Sequence, residues 1–228
     1  MKNKSNSKNY MKPTLYNWGV NDLKYIDDFY LNNYEDYKGV YGKWTGMMKR
    51  AMSPKYLAKT PSYEGASICD GWQYLCEFKM WTTGQVWKGL ELDKDILVVG
   101  NKHYSPETCA YVPKYVNYCF LTKQGGRGDC PIGVSKKIEK RYGPNYVMPN
   151  PYAAAVNDGT GTYIRLGTYN NPTDAPRAWQ LAKADVIENT VLRYMLEPCY
   201  RQDVANAIYL RAEMLKDDHA NHRETFSL

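Results

Sequence analysis

The sequence contains no long apolar run. No stretch reaches the about 20 apolar residues that a bilayer-spanning helix requires, and the basic N-terminus "MKNKSNSKNYMKPTLYNW" has no apolar segment behind it. Secretion and membrane insertion are not expected, which leaves a cytoplasmic location as the expectation. No Cys-x-x-Cys pair occurs among the six cysteines, Cys69, Cys76, Cys109, Cys119, Cys130 and Cys199. That absence argues against a structural zinc site, and with no signal peptide the cysteines read as reduced thiols in apolar settings such as "YLCEF" and "NYCFL". Histidine is scarce: of three, His103 is the only one outside the C-terminal "DDHANH". His219 and His222 are spaced to share a metal, yet in so polar a tail they are expected to be solvated. Internal repeats and long low-complexity segments are also missing.

What is present is the composition of a folded protein. The 228 residues are 43% hydrophobic and 24% charged, with 22 tyrosines, enough for one full domain or two to three small modules. Lys and Arg outnumber Asp and Glu by 30 to 24, a net charge of +6 that permits a polyanionic partner without requiring one. The distribution is uneven. Between Lys123 and Tyr142, Lys123, Arg127, Lys136, Lys137, Lys140 and Arg141 face only Asp129 and Glu139. Such a run is often just a solvated face, so it lends modest support to nucleic acid.

Along the chain, residues 1–40 show aromatic and turn residues without periodicity and read as an extended lead-in that clasps a later module. A helix is predicted from "YGKWTGMMKRAM", because Trp44, Met47, Met48 and Met52 fall on one face. Asp70 is a candidate N-cap for a short, buried helix carrying Trp72, Leu75, Cys76, Phe78 and Met80. Then "LELDKDIL" alternates as a strand, "VVGNKHYSPET" supplies turn chemistry, "CAYV" returns as a strand, and a helix begins at Pro113 and runs through "KYVNYCFL". Beyond the Gly-rich joint "KQGGRGDCPIG", the segments "IGVSKKIE", "PYAAAVND" and "TYIRLGTYN" read as three short strands. A long helix starts at Thr173, with Ala175, Ala178, Trp179, Ala182 and Val186 on its stripe, and a last helix follows Pro198.

Six blocks in this order, "WGVND", "YGKWTGMMKR", "ICDGWQYLCEFKMW", "LDKDILVVGNKHYSPETCAYVPKYVN", "RGDCPIGVS" and "RLGTYNNPTDAPRAWQLAK", resemble phage HNH-type homing endonucleases joined to an Apetala-type DNA-binding domain. The resemblance covers most of the chain up to about residue 190. It implies an α+β fold in which a beta-beta-alpha-metal nuclease module precedes a three-stranded antiparallel sheet packed on a helix. The implied division is a lead-in over 1–40, the HNH-like module over 41–122, a linker over 123–130, the DNA-binding domain over 131–197 and a C-terminal helix and tail over 198–228. It also implies double-stranded DNA as partner, one divalent ion, Mg²⁺ or Mn²⁺, and, for a phage-encoded chain, the host cytoplasm.

In such nucleases a histidine ending the first strand activates water, while an adjoining acid and a helical residue hold the ion against the scissile phosphate. The resemblance assigns the acid to Asp93, the base to Lys94 and the helical metal-side residue to Asn117. Lys94 departs from the pattern. An ammonium takes no proton from water at neutral pH without a large depression by burial, which flanking acids oppose, so lysine here suits phosphate holding better than base catalysis. Two rescues stay open: His103, in the long turn, as base, and Asp95 as water-orienting group or metal ligand. The plain alternative is structural, with Asp93 and Asp95 pairing with cationic neighbours on a hairpin and no metal bound. Two functions therefore compete, a metal-dependent endonuclease and a decayed nuclease that works as a DNA-binding regulator, with a scaffold recruited to bind a host or phage protein as a third.

For the second half, the resemblance implies that the sheet enters the major groove and reads base edges while basic loop residues hold phosphates. Arg165 in "YIRLG" alternates with Ile164 and Leu166 and is expected to point to DNA. Lys136, Lys137, Lys140 and Arg141 are the candidate phosphate contacts, with Arg127 on the linker. Two departures stand out: "PYAAAVND" lacks a basic reading residue, and "EKRYGPNYVMPN" inserts a long segment between the first two strands. Both point to recognition by backbone and shape more than by base.

Overall fold

Trp44, Met47 and Met48 recur at helical spacing and are fully buried on α1 (Tyr34–Met52), whose acidic first turn and basic last turn suit the helix dipole. The helix starts about two turns before Tyr41, inside the expected lead-in, and Tyr37 and Val40 extend its buried face. This protein is described here as a computed structural model covering residues 12–23, 34–121, 127–137 and 147–228. Lys140, Arg141 and most of the insertion between the first two strands of the later sheet lie outside the described residues. The fold is α+β. It divides into two compact units, Met1–Tyr111 and Val112–Leu228, whereas the resemblance carried the first module to residue 122.

In the first unit α1 is followed by α2 (Pro54–Leu57), capped by the Ser53 hydroxyl, which accepts from the Tyr56 N–H. Asp70 opens a short 3-10 turn, Asp70–Gln73, and the helix proper, α3 (Leu75–Thr83), begins after Tyr74 with no side-chain cap. Trp72, Leu75 and Phe78 are buried as expected. Met80 is not, at 63% exposure, because α3 offers only one face to the core. Trp72 packs edge-on to Phe78, ring centroids 5.1 Å apart, and the Trp44 indole donates to the Trp72 carbonyl at 2.8 Å. The lead-in does clasp this core: Val20 N–H donates to the Gln73 carbonyl and Leu75 N–H to that of Val20.

Two small sheets complete the unit. β1 (Ser67–Ile68) pairs in parallel with β3 (His103–Tyr104), and β2 (Glu91–Asp93) pairs with β4 (Ala110–Val112). The strand expected over "LELDKDIL" is therefore only three residues long, and His103 belongs to a strand, not to a turn.

The second unit starts with α4 (Lys114–Cys119), entered through Pro113. Its sheet is antiparallel in the order β5-β6-β7, built from β5 (Val134–Lys136), β6 (Tyr152–Asn157) and β7 (Tyr163–Tyr169). The three strands fall where the alternation put them. Two long helices follow, α5 (Asp174–Tyr194) and α6 (Gln202–Ala220). Val134 and Ala154 pack with Ala175 of α5 on one sheet face. Gly133, at φ +77, lets Trp179 lie flat on the start of β5, since a Cβ there would sit 2.0 Å from the indole. Burial on α5 departs from the single expected stripe: Ala178, Ala182 and Val186 are half-buried, while Ile187, Val191 and Tyr194 are buried. The helix covers the sheet with one face and packs α6 with another. Among the described residues no helix is long and apolar enough to cross a membrane, and all six cysteines are free.

Candidate nucleic-acid interface

The segment "LDKD" forms a closed loop. Asp93 ends β2, and its Oδ1 accepts the backbone N–H of Asp95 at 2.7 Å and of Ile96 at 2.8 Å, an Asx turn that bends the chain out of the strand. Burial pushes the Asp93 carboxyl above its ordinary range, against the opposing effect of the two N–H donors. Lys94 is turned inward and only 5% exposed. Its ammonium donates to the Asp95 carboxylate and, at 2.7 Å, to the Asn101 carbonyl, and it lies 5.7 Å and 6.0 Å from the ring centroids of Tyr63 and Tyr104. Asn101 locks the loop from the other side, its amide donating to the carbonyls of Lys94 and His103 and its Oδ1 accepting the His103 N–H. This hub was overlooked in the sequence, although the Gly-Asn turn signal at Gly100 and Asn101 was visible.

These contacts decide what the loop can do. Lys94 is buried with its ammonium turned to the Asp95 carboxylate and the Asn101 carbonyl, an arrangement that does not present it to a phosphate. Asp95 is engaged by that ammonium, whereas Asp93 accepts backbone N–H groups. His103 Nδ1 lies 2.8 Å from the Ser67 hydroxyl across the β1–β3 pair. Asn117 sits on α4 in the second unit, where Tyr115 donates to Glu197 and Arg193 stacks at 3.7 Å over the Tyr115 ring. The structure thus brings Asp93, Lys94 and Asp95 together in one loop, while Asn117 lies on α4. As a site for a divalent ion the donor set fits poorly: one acid oxygen is spent on backbone N–H groups, the other acid on an internal cation. Among the described residues no group of three His, Cys, Asp or Glu is positioned to hold a metal. His219 and His222 both contact Arg177, the first through the backbone carbonyl and the second through the guanidinium.

The second sequence-derived site is a surface. On β6 the buried Ala154 and Val156 face α5, so Ala153 and Ala155 point to the opposite, open face. The ladder sets Ser135 and Thr168 beside Ala153, and Arg165 beside Ala155. An irregularity between Ala154 and Ala155 skips Leu166, which turns to the α5 side while Arg165 stays exposed on the open face. A cavity of about 600 Å³ opens beside the sheet, lined by Ala153, Ala155 and Arg165 together with Val134, Ala154, Trp179 and Lys183 of the α5 side. Arg127, Lys137, Arg165 and Lys183 line it and no carboxylate does, among the described residues. Lys183 is buried, donates to the Cys119 carbonyl, and has its pKa lowered by burial, so it serves the fold. Arg127 is different: its Nε is buried and has no hydrogen-bond partner among the described residues. Lys136, paired with Tyr152, alternates to the α5 side and leaves the expected set of phosphate contacts. A second cavity, of about 520 Å³ in the first unit, mixes Lys38, Lys43 and Arg50 with Glu35 and Glu91, so its field has no single sign.

Charge and alternation mark Arg127, Lys137 and Arg165 in the sequence, and the structure places all three on this cavity. The small residues between them, Ala153 and Ala155, carry no such signal in the sequence. Compared with known proteins, the chain matches no protein family, no curated protein and no solved structure.

Proposed function

We propose that the protein is a DNA-binding regulator that holds duplex DNA on the open face of the β5-β6-β7 sheet, of phage or mobile-element origin. In this reading its scaffold is that of the HNH-type homing endonucleases with an Apetala-type domain, whose blocks it resembles, and its hydrolytic site has decayed. One observation carries the reading: Arg127, Lys137 and Arg165 converge on one cavity beside the sheet, and among the described residues no carboxylate lines it. Phosphates supply the complementary charge, and strands are elements that can enter the major groove. Arg127 and Lys137 contact phosphates, with the buried Arg127 Nε gaining an acceptor; Arg165, mid-strand, reaches a base edge. Single-sign potential on a concave surface also steers a polyanion toward it.

The test is a gel-shift series on plasmid and randomised duplex DNA at rising salt, beside cleavage reactions in Mg²⁺, Mn²⁺ and EDTA. Retention is expected, its affinity falling with a log–log salt slope of about 2 to 3, at roughly 0.9 per phosphate contact, and supercoiled DNA stays intact in every reaction. No retention at the lowest salt, or equal retention by Arg165→Ala and Lys137→Ala, ends the proposal.

A second reading, hydrolysis of double-stranded DNA with one Mg²⁺ or Mn²⁺ ion, has one observation in its favour: the Asp93 and Asp95 carboxyls adjoin at the end of β2. It requires Asp93 to ligate through Oδ2, Oδ1 being held by the two N–H donors, and Lys94 to withdraw from Asp95. Metal-dependent nicks that vanish in Asp93→Ala would establish it.

A further inference from the structure

We infer that the open sheet face discriminates thymine, reading its C5 methyl through Ala153 and Ala155; this rests on the DNA-binding reading above. The central strand of the face carries no polar side chain between Pro151 and Asn157 on the open side, only these two methyl groups. Both are half-buried in the concavity, whereas their neighbours across the ladder, Ser135, Thr168 and Arg165, are exposed. The floor is thus low and apolar and its walls are taller and polar.

A floor of this kind cannot hydrogen-bond base edges, but it admits close approach. In the major groove only thymine projects a methyl group, and alanine and threonine methyls are its natural contacts. Thr168 adds a third methyl beside Ala153. Residues two apart on a strand advance about 6.7 Å, close to two base-pair steps of about 3.4 Å. A central strand lying along the groove therefore sets Ala153 and Ala155 against thymines about two steps apart. The alanines that looked like a missing reading residue supply specificity of a different chemical kind.

The experiment uses the full chain. Duplexes are selected from a randomised 20-base-pair pool, and each thymine of the recovered site is replaced in turn by deoxyuridine, which deletes only the methyl. Affinity is read by fluorescence anisotropy. At two positions deoxyuridine should weaken binding by roughly fourfold each, the worth of one buried methyl group, and the penalty at one of them should shrink in Ala153→Gly and at the other in Ala155→Gly. Duplexes that bind while the uracil scan stays flat overturn the inference and leave the DNA-binding reading standing. A pool from which nothing is retained overturns both. The scan on the unaltered protein needs no variant, so a glycine variant that folds poorly does not decide the matter.

Discussion

Replacing Lys94 by Met keeps most of the aliphatic stem and removes the ammonium, so it isolates what that charge does. The Asn101 carbonyl loses a charged donor at 2.7 Å, for which about 1.5–3 kcal/mol is typical. The ion pair with Asp95 adds little, about 0–1 kcal/mol, because the Asp95 side chain is 52% exposed and water takes over its solvation. The rings of Tyr63 and Tyr104, at 5.7 Å and 6.0 Å, lose a cation at the edge of useful range, roughly 0.5 kcal/mol each. Together the substitution should cost about 2.5–5 kcal/mol. Urea unfolding of the first unit, followed by tryptophan fluorescence, reads it directly. Lys94→His, which restores the residue type expected of an HNH nuclease, should also destabilise and should yield no metal-dependent cleavage. A loss below about 0.5 kcal/mol in Lys94→Met, the size of an ordinary surface substitution, or new nicking activity in Lys94→His, would refute the view that the loop is a structural lock.

Asp93→Asn tests the same loop by pH. The folded-state carboxyl is raised above its ordinary value of 3.8, so its contribution to stability is fully present below that value and is lost as pH rises through the folded pKa. Asparagine still offers Oδ1 to both N–H donors without a charge, so the variant should gain on the wild type between pH 4 and neutrality; unfolding midpoints across that range check it, and a parallel pH profile would refute it. Gly133→Ala should cost about 2–4 kcal/mol, since its Cβ collides with Trp179 and its φ is positive; thermal unfolding of the variant measures this. Lys137→Ala should lower duplex affinity for all sequences alike and reduce the salt slope by about 1, whereas Arg165→Ala should also relax preference at one base pair, costing about 1–3 kcal/mol there; anisotropy on selected and scrambled duplexes separates the two. Cys109, fully buried with its thiol pushed up to about 12 by burial, should stay unreactive to a disulfide reagent at pH 8 until the first unit unfolds.

Periodicity alone determined a good part of this protein. The three strands of the second unit, the helix on which they pack, the Trp44, Met47 and Met48 stripe, and the exposure of Arg165 all follow from spacing, because a side chain's face is set by a local repeat of 2 or 3.6 residues. Spacing could not decide the direction of Lys94, since a lysine flanked by acids reads the same whether its ammonium meets water or is drawn inward by a carbonyl seven residues on. The same holds for His103, which left the turn for a strand only because Ser67, 36 residues away, pairs with it. It holds also for Ala153 and Ala155, whose methyl groups became a floor once Ser135, Thr168 and Arg165 stood beside them. These outcomes rest on pairings distant in sequence, and only the closed tertiary structure brings such partners together.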